Sequence, residues 1–182
     1  MTTPALLEKH IALLGFMAAG KTTVGRHLAR ELGVAFCDSD AAIVDRHGPI
    51  AALFERHGEA GFRALEYAVV RELLQGPPGV LALGGGAVTH PPTRSLLAGG
   101  CIRVYLDMPA ETLVARLRRS PTVRPLLGAA PTLARVRALL AEREPLYREA
   151  DLVLRGPRRT QASIAHEIAA RVSGRQGEPR GA

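Results

Sequence analysis

The stretch "IALLGFMAAGKTTVG", residues 11–25, decides the fold of this chain. It carries the pattern G-x-x-x-x-G-K-[ST] from Gly15 to Thr22, after an apolar run that predicts a strand and before an amphipathic segment that predicts a helix. Glycines let backbone N–H groups curve around phosphate oxygens, and the positive end of the helix faces the same point. Lys21 can reach the β- and γ-phosphates, and the Thr22 hydroxyl can ligate Mg²⁺. The stretch therefore predicts a nucleoside triphosphate site.

One position in this loop departs from the common pattern. Ala18 stands where many such loops have glycine. A left-handed backbone would cost alanine roughly 1 kcal/mol, so we expect a backbone angle there that alanine accepts.

The rest of the chain alternates apolar runs with amphipathic segments. Five short, continuous apolar runs predict buried strands, at residues 11–16, 34–38, 80–84, 102–107 and 151–154. Four amphipathic segments predict helices, at residues 21–32, 59–75, 109–119 and 132–147. This order is typical of an α/β doubly wound fold, in which helices cover both faces of a parallel sheet. Two regions interrupt it, a helical insert at 39–75 and a Pro- and Gly-containing loop at 120–131 that could act as a mobile lid.

Length and composition indicate one globular domain. The 182 residues are 47% apolar, and no apolar run reaches the roughly 18 residues of a membrane span. The start "MTTPALLEKH" lacks the features of a signal peptide, so we expect a soluble, cytoplasmic protein. Cys37 and Cys101 lie in apolar runs and form no CxxC pair, so both are expected to be reduced core residues. The histidines show no zinc-binding spacing.

The net charge of +7 has two interpretations, a nucleic-acid surface or a site for small anionic ligands. Nearly all basic residues are arginine, and lysine occurs only at Lys9 and Lys21. Aromatic residues make up only 4% of the chain and no lysine-rich patch occurs. Because stacking aromatics and basic patches are typical of nucleic-acid binding, these observations favour a small anionic ligand.

Two aspartates at the end of the second predicted strand are the main candidates for Mg²⁺ binding and catalysis. Asp38 and Asp40 are two residues apart, so extended backbone would place both side chains on one side, at a strand end that lines the ligand crevice. Asp38 could hold Mg²⁺ through water, and Asp40 could accept a proton from a substrate hydroxyl. The alternative is an ordinary helix cap. Asp107 also ends a predicted strand, but a helix follows at once, which favours a structural role.

Three glycines, Gly84 to Gly86, end the third predicted strand, where proteins with such a loop usually place an aspartate. The absent side chains would leave room for a small polyol ring against bare backbone, whose N–H groups could meet its oxygens. The alternative is a tight strand-to-helix turn.

Several arginines could contact anionic groups. Arg63 and Glu66 are one helical turn apart, so they can pair, and the pair could orient the guanidinium toward a substrate carboxylate. Arg124 lies in the expected lid, where a cation could close over phosphate. Further candidates lie before the lid or near the end of the last predicted helix: Arg118, Arg119, Arg143 and Arg148.

Six motifs occur in order over residues 11–160, and together they resemble the shikimate kinase family. They are GFMAAGKTTVGR, DSD, GEAGFRALE, LGGGAV, VRPLL and REPLYREAD. The resemblance implies a three-layer P-loop kinase fold with a five-stranded parallel sheet, a substrate-binding insert and a mobile lid. It also implies an enzyme that uses Mg²⁺ and transfers the γ-phosphate of ATP to the 3-hydroxyl of shikimate, in chorismate and aromatic amino acid biosynthesis.

The resemblance implies roles for individual residues. The catalytic group would be Lys21, Asp40 and Arg124, and the Mg²⁺ ligands would be Thr22 and, through water, Asp38. The shikimate contacts would be Arg63 and Arg143 on the carboxylate, Asp40 on the reacting hydroxyl, and Gly85 and Gly86 near the ring. The ATP contacts would be Ala18, Ala19, Gly20, Lys21, Thr22, Thr23, Arg118, Arg124 and Arg159, of which Arg159 matches only with a one-residue gap.

We expect one kinase domain over residues 1–173, with the insert at 39–75, the lid at 120–131 and a disordered tail at 174–182. The protein is expected to act as a monomer without nucleic-acid or membrane partners. Two alternatives stay open: another small-molecule kinase of this fold, for gluconate or a nucleotide, or a nucleotide-dependent nucleic-acid-binding protein. A nucleotide acceptor would require a base pocket, whereas paired arginines suit a carboxylate.

Overall fold

The computed structural model describes residues 7–120, 126–127, 131–156 and 159–176. Its centre is a five-stranded sheet in the order β2-β3-β1-β4-β5, and every pairing is parallel. The strands are β1 His10–Leu14, β2 Phe36–Asp38, β3 Val80–Ala82, β4 Cys101–Asp107 and β5 Leu152–Arg155. All five match a run predicted from the sequence, and the α/β expectation is confirmed.

Helices cover both faces of this sheet. They are α1 Lys21–Leu32, α2 Ser39–His47, α3 Ile50–Leu73, α4 Pro91–Gly100, α5 Ala110–Arg119, α6 Leu133–Tyr147 and α7 Gln161–Gln176, with a 3₁₀ turn at Ala87–Thr89. Successive side chains of a strand point to opposite faces. Accordingly, Ile11 and Leu13 of β1 pack in a cluster with α1, α5 and α7, whereas Ala12 and Leu14 pack with α3, α4 and α6. The result is a three-layer structure with a core on each side of the sheet.

The insert between β2 and β3 consists of two helices. The sequence predicts a helix at 59–75, but α3 starts nine residues earlier, at Ile50, and bends at Gly58, whose φ of 66° is left-handed. Leu53 before the bend and Phe62 and Val69 after it pack on Ile43 of α2. The insert therefore has a small core of its own.

Two features of the fold differ from the expectations. Cys37 is exposed, because β2 is an edge strand of the sheet; the core assignment holds only for Cys101, where burial raises the pKa of the thiol to about 12. Helix α7 continues to Gln176, so the first residues of the expected tail are helical, and 177–182 lie outside the described residues. No helix in the described part of the chain is long and apolar enough to cross a membrane.

Candidate active site

The loop from Gly15 to Gly20, which joins β1 to α1, has the geometry of a phosphate-binding loop. Gly15 and Gly20 have φ values of 144° and 99°, which favour glycine. A Cβ on Gly15 would also lie 2.9 Å from the Leu106 carbonyl oxygen of β4. The Lys21 ammonium is buried and donates to the carbonyl oxygens of Gly15 at 2.8 Å and Phe16 at 2.9 Å. The lysine is thus held across the loop at the start of α1.

The backbone angle φ at Ala18 differs from the expected one. Its φ is 62°, in the left-handed region, so the expectation of an ordinary alanine angle was wrong. The chain must turn back to α1 within a few residues while Ala19, 1% exposed, packs into the core. Ala19 N–H also donates to the Phe16 carbonyl at 3.2 Å, which closes the turn around Ala18. These tertiary demands impose the angle that glycine would accept more readily.

Replacing Ala18 with glycine is expected to raise the free energy of unfolding by about 0.5–1 kcal/mol, because the left-handed strain on the Cβ disappears. The control is Ala29→Gly at a buried position in the last turn of α1, where glycine is expected to cost about 1 kcal/mol. Urea unfolding of both variants measures the difference. A loss of stability in Ala18→Gly would contradict the strain assigned to this position.

Asp38 contacts the phosphate loop and caps a helix at the same time. Its Oδ2 accepts from the Thr22 hydroxyl at 2.6 Å, and its Oδ1 accepts from the N–H groups of Asp40 and Ala41 at the start of α2. The two interpretations of the aspartate pair are therefore compatible, since each carboxylate oxygen serves one of them. Among the described residues, no three His, Cys, Asp or Glu side chains form a metal-binding group. The Thr22–Asp38 oxygens fit Mg²⁺ nevertheless, because this ion usually takes one or two protein ligands with phosphates and water.

The glycine segment, Gly84 to Gly86, follows β3 and lies against charged side chains of the insert. A Cβ on Gly84 would contact Glu66 Oε1 and lie 2.6 Å from Asp40 Oδ1, and a Cβ on Gly86 would overlap the Arg63 guanidinium. Larger residues at Gly84 and Gly86 would therefore collide with the protein's own charged side chains. The sequence predicts that the missing side chains of these glycines leave free space for an acceptor. In the structure, the side chains of Glu66, Asp40 and Arg63 fill the space beside Gly84 and Gly86.

Two buried arginines and a buried glutamate surround this segment. Arg63 is 6% exposed, Arg143 is 3% exposed and Glu66 is fully buried. Arg63 Nη1 donates to Glu66 Oε2 at 2.7 Å, which confirms the predicted pair. Arg63 Nε and Glu66 Oε1 find no hydrogen-bond partner within the described residues. Buried polar atoms of this kind are normally satisfied, so both atoms add to the free-energy cost of burying this pair.

Burial raises the pKa of the Glu66 carboxyl above its ordinary value of 4.5, although Arg63 acts in the opposite direction. A carboxyl with a raised pKa in the folded state binds its proton more tightly there than in the unfolded chain. Its contribution to stability is therefore complete below about pH 4.5 and decreases as the pH rises through the folded-state pKa.

We expect the free energy of unfolding of Glu66→Gln to increase relative to the unsubstituted protein as the pH rises from 4.5 toward 8, because the amide does not ionise. Urea unfolding of both proteins across this range gives the difference directly, and the other titrating groups cancel. A difference that is independent of pH, or that decreases with pH, would contradict the raised pKa.

The middle residue of the glycine segment contacts helix α6. The Gly85 carbonyl accepts from the Tyr147 hydroxyl and, at 3.3 Å, from Arg143 Nη1. On its other side, Gly85 lies against the phosphate loop, since a Cβ there would be 3.0 Å from the Met17 nitrogen. Gly85 thus joins the phosphate loop to the buried arginine.

A cleft of about 310 Å³ opens over the phosphate loop. It brings together most of the predicted site residues, namely Ala18, Gly20, Lys21, Thr22, Thr23, Asp38, Asp40 and Gly85. Arg63, Gly86 and Arg143 lie behind it, in contact with the glycine segment. The phosphate loop and two carboxylates therefore line the cleft, and the two buried guanidinium groups contact the glycine segment that forms part of its wall.

Arg116 of α5 lines the cleft, although no motif in the sequence indicates it. Its Nη1 donates to the carbonyl oxygens of Ala18 at 3.1 Å and Ala19 at 3.2 Å. Helical periodicity gives one indication of its position, because Leu113 and Leu117 form the buried stripe of α5 and Arg116 lies beside this stripe. That α5 packs beside the phosphate loop, however, is a contact between residues 98 positions apart, which no local pattern reveals.

The remaining predicted residues do not line the cleft or are not among the residues that the structure describes. Arg118 is exposed and donates to the Pro131 carbonyl at 3.4 Å, and Arg159 is exposed and pairs with Glu167 of α7. Arg124 lies outside the described residues. Asp107 pairs with Arg155 at 3.3 Å and Arg148 at 3.6 Å, which supports the structural role favoured for it.

Comparisons with known proteins agree with this geometry. A model of the shikimate kinase family matches residues 17–173, which include all the cleft residues named above. The shikimate kinase of Halorhodospira halophila is 48% identical over 171 residues, which cover 93% of this chain and 94% of that protein. A shikimate kinase from Acinetobacter baumannii, solved in complex with shikimate, is 41% identical with a TM-score of 0.88, covering 93% of this chain and 96% of its own. A gluconokinase from Sinorhizobium meliloti, 19% identical with a TM-score of 0.66, shares the fold alone.

Proposed function

The chain belongs to the shikimate kinase family, and on this premise we propose how its residues transfer the γ-phosphate of ATP to the 3-hydroxyl of shikimate. The observation that carries the proposal is the pair of buried guanidinium groups, Arg63 and Arg143, at the glycine segment beside a phosphate loop. Shikimate offers one carboxylate and several hydroxyls, and two buried arginines match a carboxylate better than an uncharged polyol.

The phosphate loop would bind the donor. Its backbone N–H groups and the start of α1 would receive the β- and γ-phosphates of ATP, and the Lys21 ammonium would move from the loop carbonyls to phosphate oxygens. Thr22 and, through water, Asp38 would hold Mg²⁺. When bound, Mg²⁺ neutralises negative charge on the phosphates during transfer. Ala18, Gly20 and Thr23, which line the cleft, would complete the donor site together with Ala19, whose side chain packs in the core.

The insert, the glycine segment and α6 would bind the acceptor. Arg63, held by Glu66, and Arg143 would bind the carboxylate, and the N–H groups of Gly85 and Gly86 would meet ring oxygens. Asp40 would orient the 3-hydroxyl and accept its proton as the new phosphorus–oxygen bond forms and the bond from the γ-phosphorus to the β–γ bridging oxygen of ATP breaks. This division places donor and acceptor on opposite sides of Gly85.

Arg116 is proposed as a further ATP contact, in the place that the resemblance gave to Arg118. Arg116→Ala is expected to raise the KM for ATP about tenfold, because a charged hydrogen-bond donor at the phosphate loop is lost. Arg118→Ala is the comparison, since that side chain is exposed and points to Pro131. Steady-state kinetics with varied ATP distinguish the two positions. A larger effect at Arg118 than at Arg116 would contradict the assignment.

The remaining assignments are proposals of the same kind. The kinase domain would span residues 1–173, with residues 39–75 as the acceptor-binding insert and 120–131 as the lid that brings Arg124 to ATP. Arg159 would contact adenine after leaving Glu167. The protein would act as a cytoplasmic monomer without a nucleic-acid partner.

A coupled ADP-release assay with ATP and Mg²⁺ tests the proposed function. Shikimate, quinate, gluconate and a nucleoside monophosphate are compared as acceptors. Shikimate is expected to give the highest kcat/KM, and no response to it would defeat the proposal. Retention on a polyanion column at rising salt examines the nucleic-acid alternative, which strong retention beyond moderate salt would favour.

A further inference from the structure

We propose that Ser39 and Tyr147 are positioning residues that hold the glycine segment from two sides and thereby aim its free N–H groups at the acceptor. Ser39, fully buried, accepts from the Gly84 N–H at 3.0 Å through its Oγ. Tyr147, 1% exposed, donates its hydroxyl to the Gly85 carbonyl. The inference rests on the proposed acceptor site and assigns a role to two side chains that the reaction itself does not use.

Within the described residues, the carbonyls of the glycine segment all accept hydrogen bonds, whereas two of its N–H groups donate none. The Gly84 carbonyl accepts from Ala87 N–H at 3.1 Å, and the Gly86 carbonyl accepts from the backbone and hydroxyl of Thr89 at 2.9 and 2.8 Å. With Tyr147 on the Gly85 carbonyl, all three carbonyls are occupied. Within the described residues, the N–H groups of Gly85 and Gly86 donate no hydrogen bond. These two donors are therefore not satisfied by the described part of the protein, and Gly85 lines the cleft.

Because a peptide is planar, the hydrogen-bonded carbonyl of Gly85 determines the direction of the Gly86 N–H. The carbonyl of Gly85 and the N–H of Gly86 belong to one planar trans peptide, so they point in opposite directions. A donor that fixes the Gly85 carbonyl therefore also fixes the direction of the Gly86 N–H. The Gly85 N–H belongs to the peptide of the Gly84 carbonyl, which accepts from Ala87 N–H. Ser39 holds the peptide before it through the Gly84 N–H.

Three consecutive glycines need such support. Side chains on Gly84 and Gly86 would collide with Glu66, Asp40 and Arg63, so the segment cannot gain rigidity from larger residues. Glycine loses more conformational freedom on ordering than any other residue, and none of the three has a positive φ that would require glycine. The glycines thus make room for the charged side chains but leave the backbone flexible. The hydrogen bonds with Ser39 and Tyr147 restrict that backbone.

Tyr147 is itself held firmly. Its ring stacks on Tyr105 of β4 with 5.0 Å between the ring centroids, and Arg143 lies one helical turn before it on α6. Burial raises the pKa of Tyr147 to about 12, so its hydroxyl remains a hydrogen-bond donor at neutral pH. Tyr147 therefore couples the helix that carries Arg143 to the backbone that meets the phosphate loop.

Steady-state kinetics of Tyr147→Phe and Ser39→Ala in the full chain test the proposal. Each is expected to raise the KM for shikimate about fivefold to thirtyfold, with the KM for ATP unchanged within about twofold. Because both residues act on one segment, the double variant is expected to show less than the product of the single effects. The controls are Tyr105→Phe, which alters the other hydroxyl of the same stack, and Thr93→Val, which removes a fully buried hydroxyl that contacts His90.

Several outcomes would overturn the proposal. One is a lower melting temperature with both KM values and kcat within twofold of the unsubstituted protein, since that shows a merely structural role. Equal increases in the two KM values would do so too, as would an effect of Tyr105→Phe as large as that of Tyr147→Phe. If Ser39→Ala does not fold, Tyr147→Phe alone decides. Failure of the unsubstituted protein to phosphorylate shikimate would instead defeat the proposed function, so the two failures are distinguishable.

Discussion

Replacing Lys21 with alanine is expected to lower kcat about a thousandfold, the largest effect we predict for a single substitution. The ammonium is buried at the phosphate loop, where the Gly15 and Phe16 carbonyls hold it until it moves to the phosphate oxygens of the nucleotide. Phosphoryl transfer depends on placing such charges around the transferring group, where low exposure to water strengthens them. The methyl side chain of alanine can supply neither the charge nor the hydrogen bonds.

The sequence provides a matched control for this substitution, since Lys9 is the other lysine of the chain. Lys9 donates to the Gly99 carbonyl at 3.4 Å on an exposed surface. Lys9→Ala is expected to leave kcat unchanged within about twofold, in line with the small effect of most surface substitutions. Coupled ADP release at saturating ATP and shikimate measures both variants. Near-normal turnover in Lys21→Ala would refute the donor site.

Replacing Arg63 with alanine is expected to weaken shikimate binding by roughly 2–4 kcal/mol, a loss of about 30- to 1,000-fold in affinity, while ATP affinity stays nearly intact. The guanidinium is 6% exposed and lies against Gly86, on the acceptor side of Gly85. Isothermal titration calorimetry with each ligand separates the two affinities. Equal losses for shikimate and ATP would contradict the assignment of Arg63 to the acceptor.

The structure adds a second consequence of this substitution. Glu66 is fully buried and paired with Arg63, so Arg63→Ala leaves an unpaired buried carboxyl and is expected to cost about 3–5 kcal/mol of stability. The double variant Arg63→Ala/Glu66→Gln should recover part of that stability without recovering shikimate affinity. Arg46→Ala breaks an exposed pair with Glu72 and is expected to cost at most about 1 kcal/mol. Recovery of shikimate binding in the double variant would show that Arg63 acts only on stability.

Predictions that depended on nearby residues agreed with the structure. The Arg63–Glu66 pair follows from helical periodicity, and the placement of Lys21 at the start of α1 follows from the spacing of its motif. All five strands follow from continuous apolar runs, because both faces of a parallel sheet are covered. In each case the sequence pattern that carries the prediction spans only a few positions, even where, as in the sheet, the contacts themselves join distant residues.

Predictions that depended on the surroundings of a residue were less successful. Cys37 lies in an apolar run but is exposed, because β2 lies at the edge of the sheet. Ala18 takes a left-handed angle because the loop must return while Ala19 packs in the core. Arg116 lies at the phosphate loop but was not among the predicted residues, because the packing of α5 decides which of its faces turns inward.

The sequence by itself determined the α/β architecture, the phosphate loop and the pairing of charges within one helical turn. These depend on periodicity and on short motifs, whose geometry the backbone dictates locally. Only the tertiary structure decided what surrounds the glycine segment: Glu66, Asp40 and Arg63 against its open sides, with Ser39 and Tyr147 on its backbone. Those groups come from distant parts of the chain, and they meet because strand order and helix packing close the fold around Gly84 to Gly86.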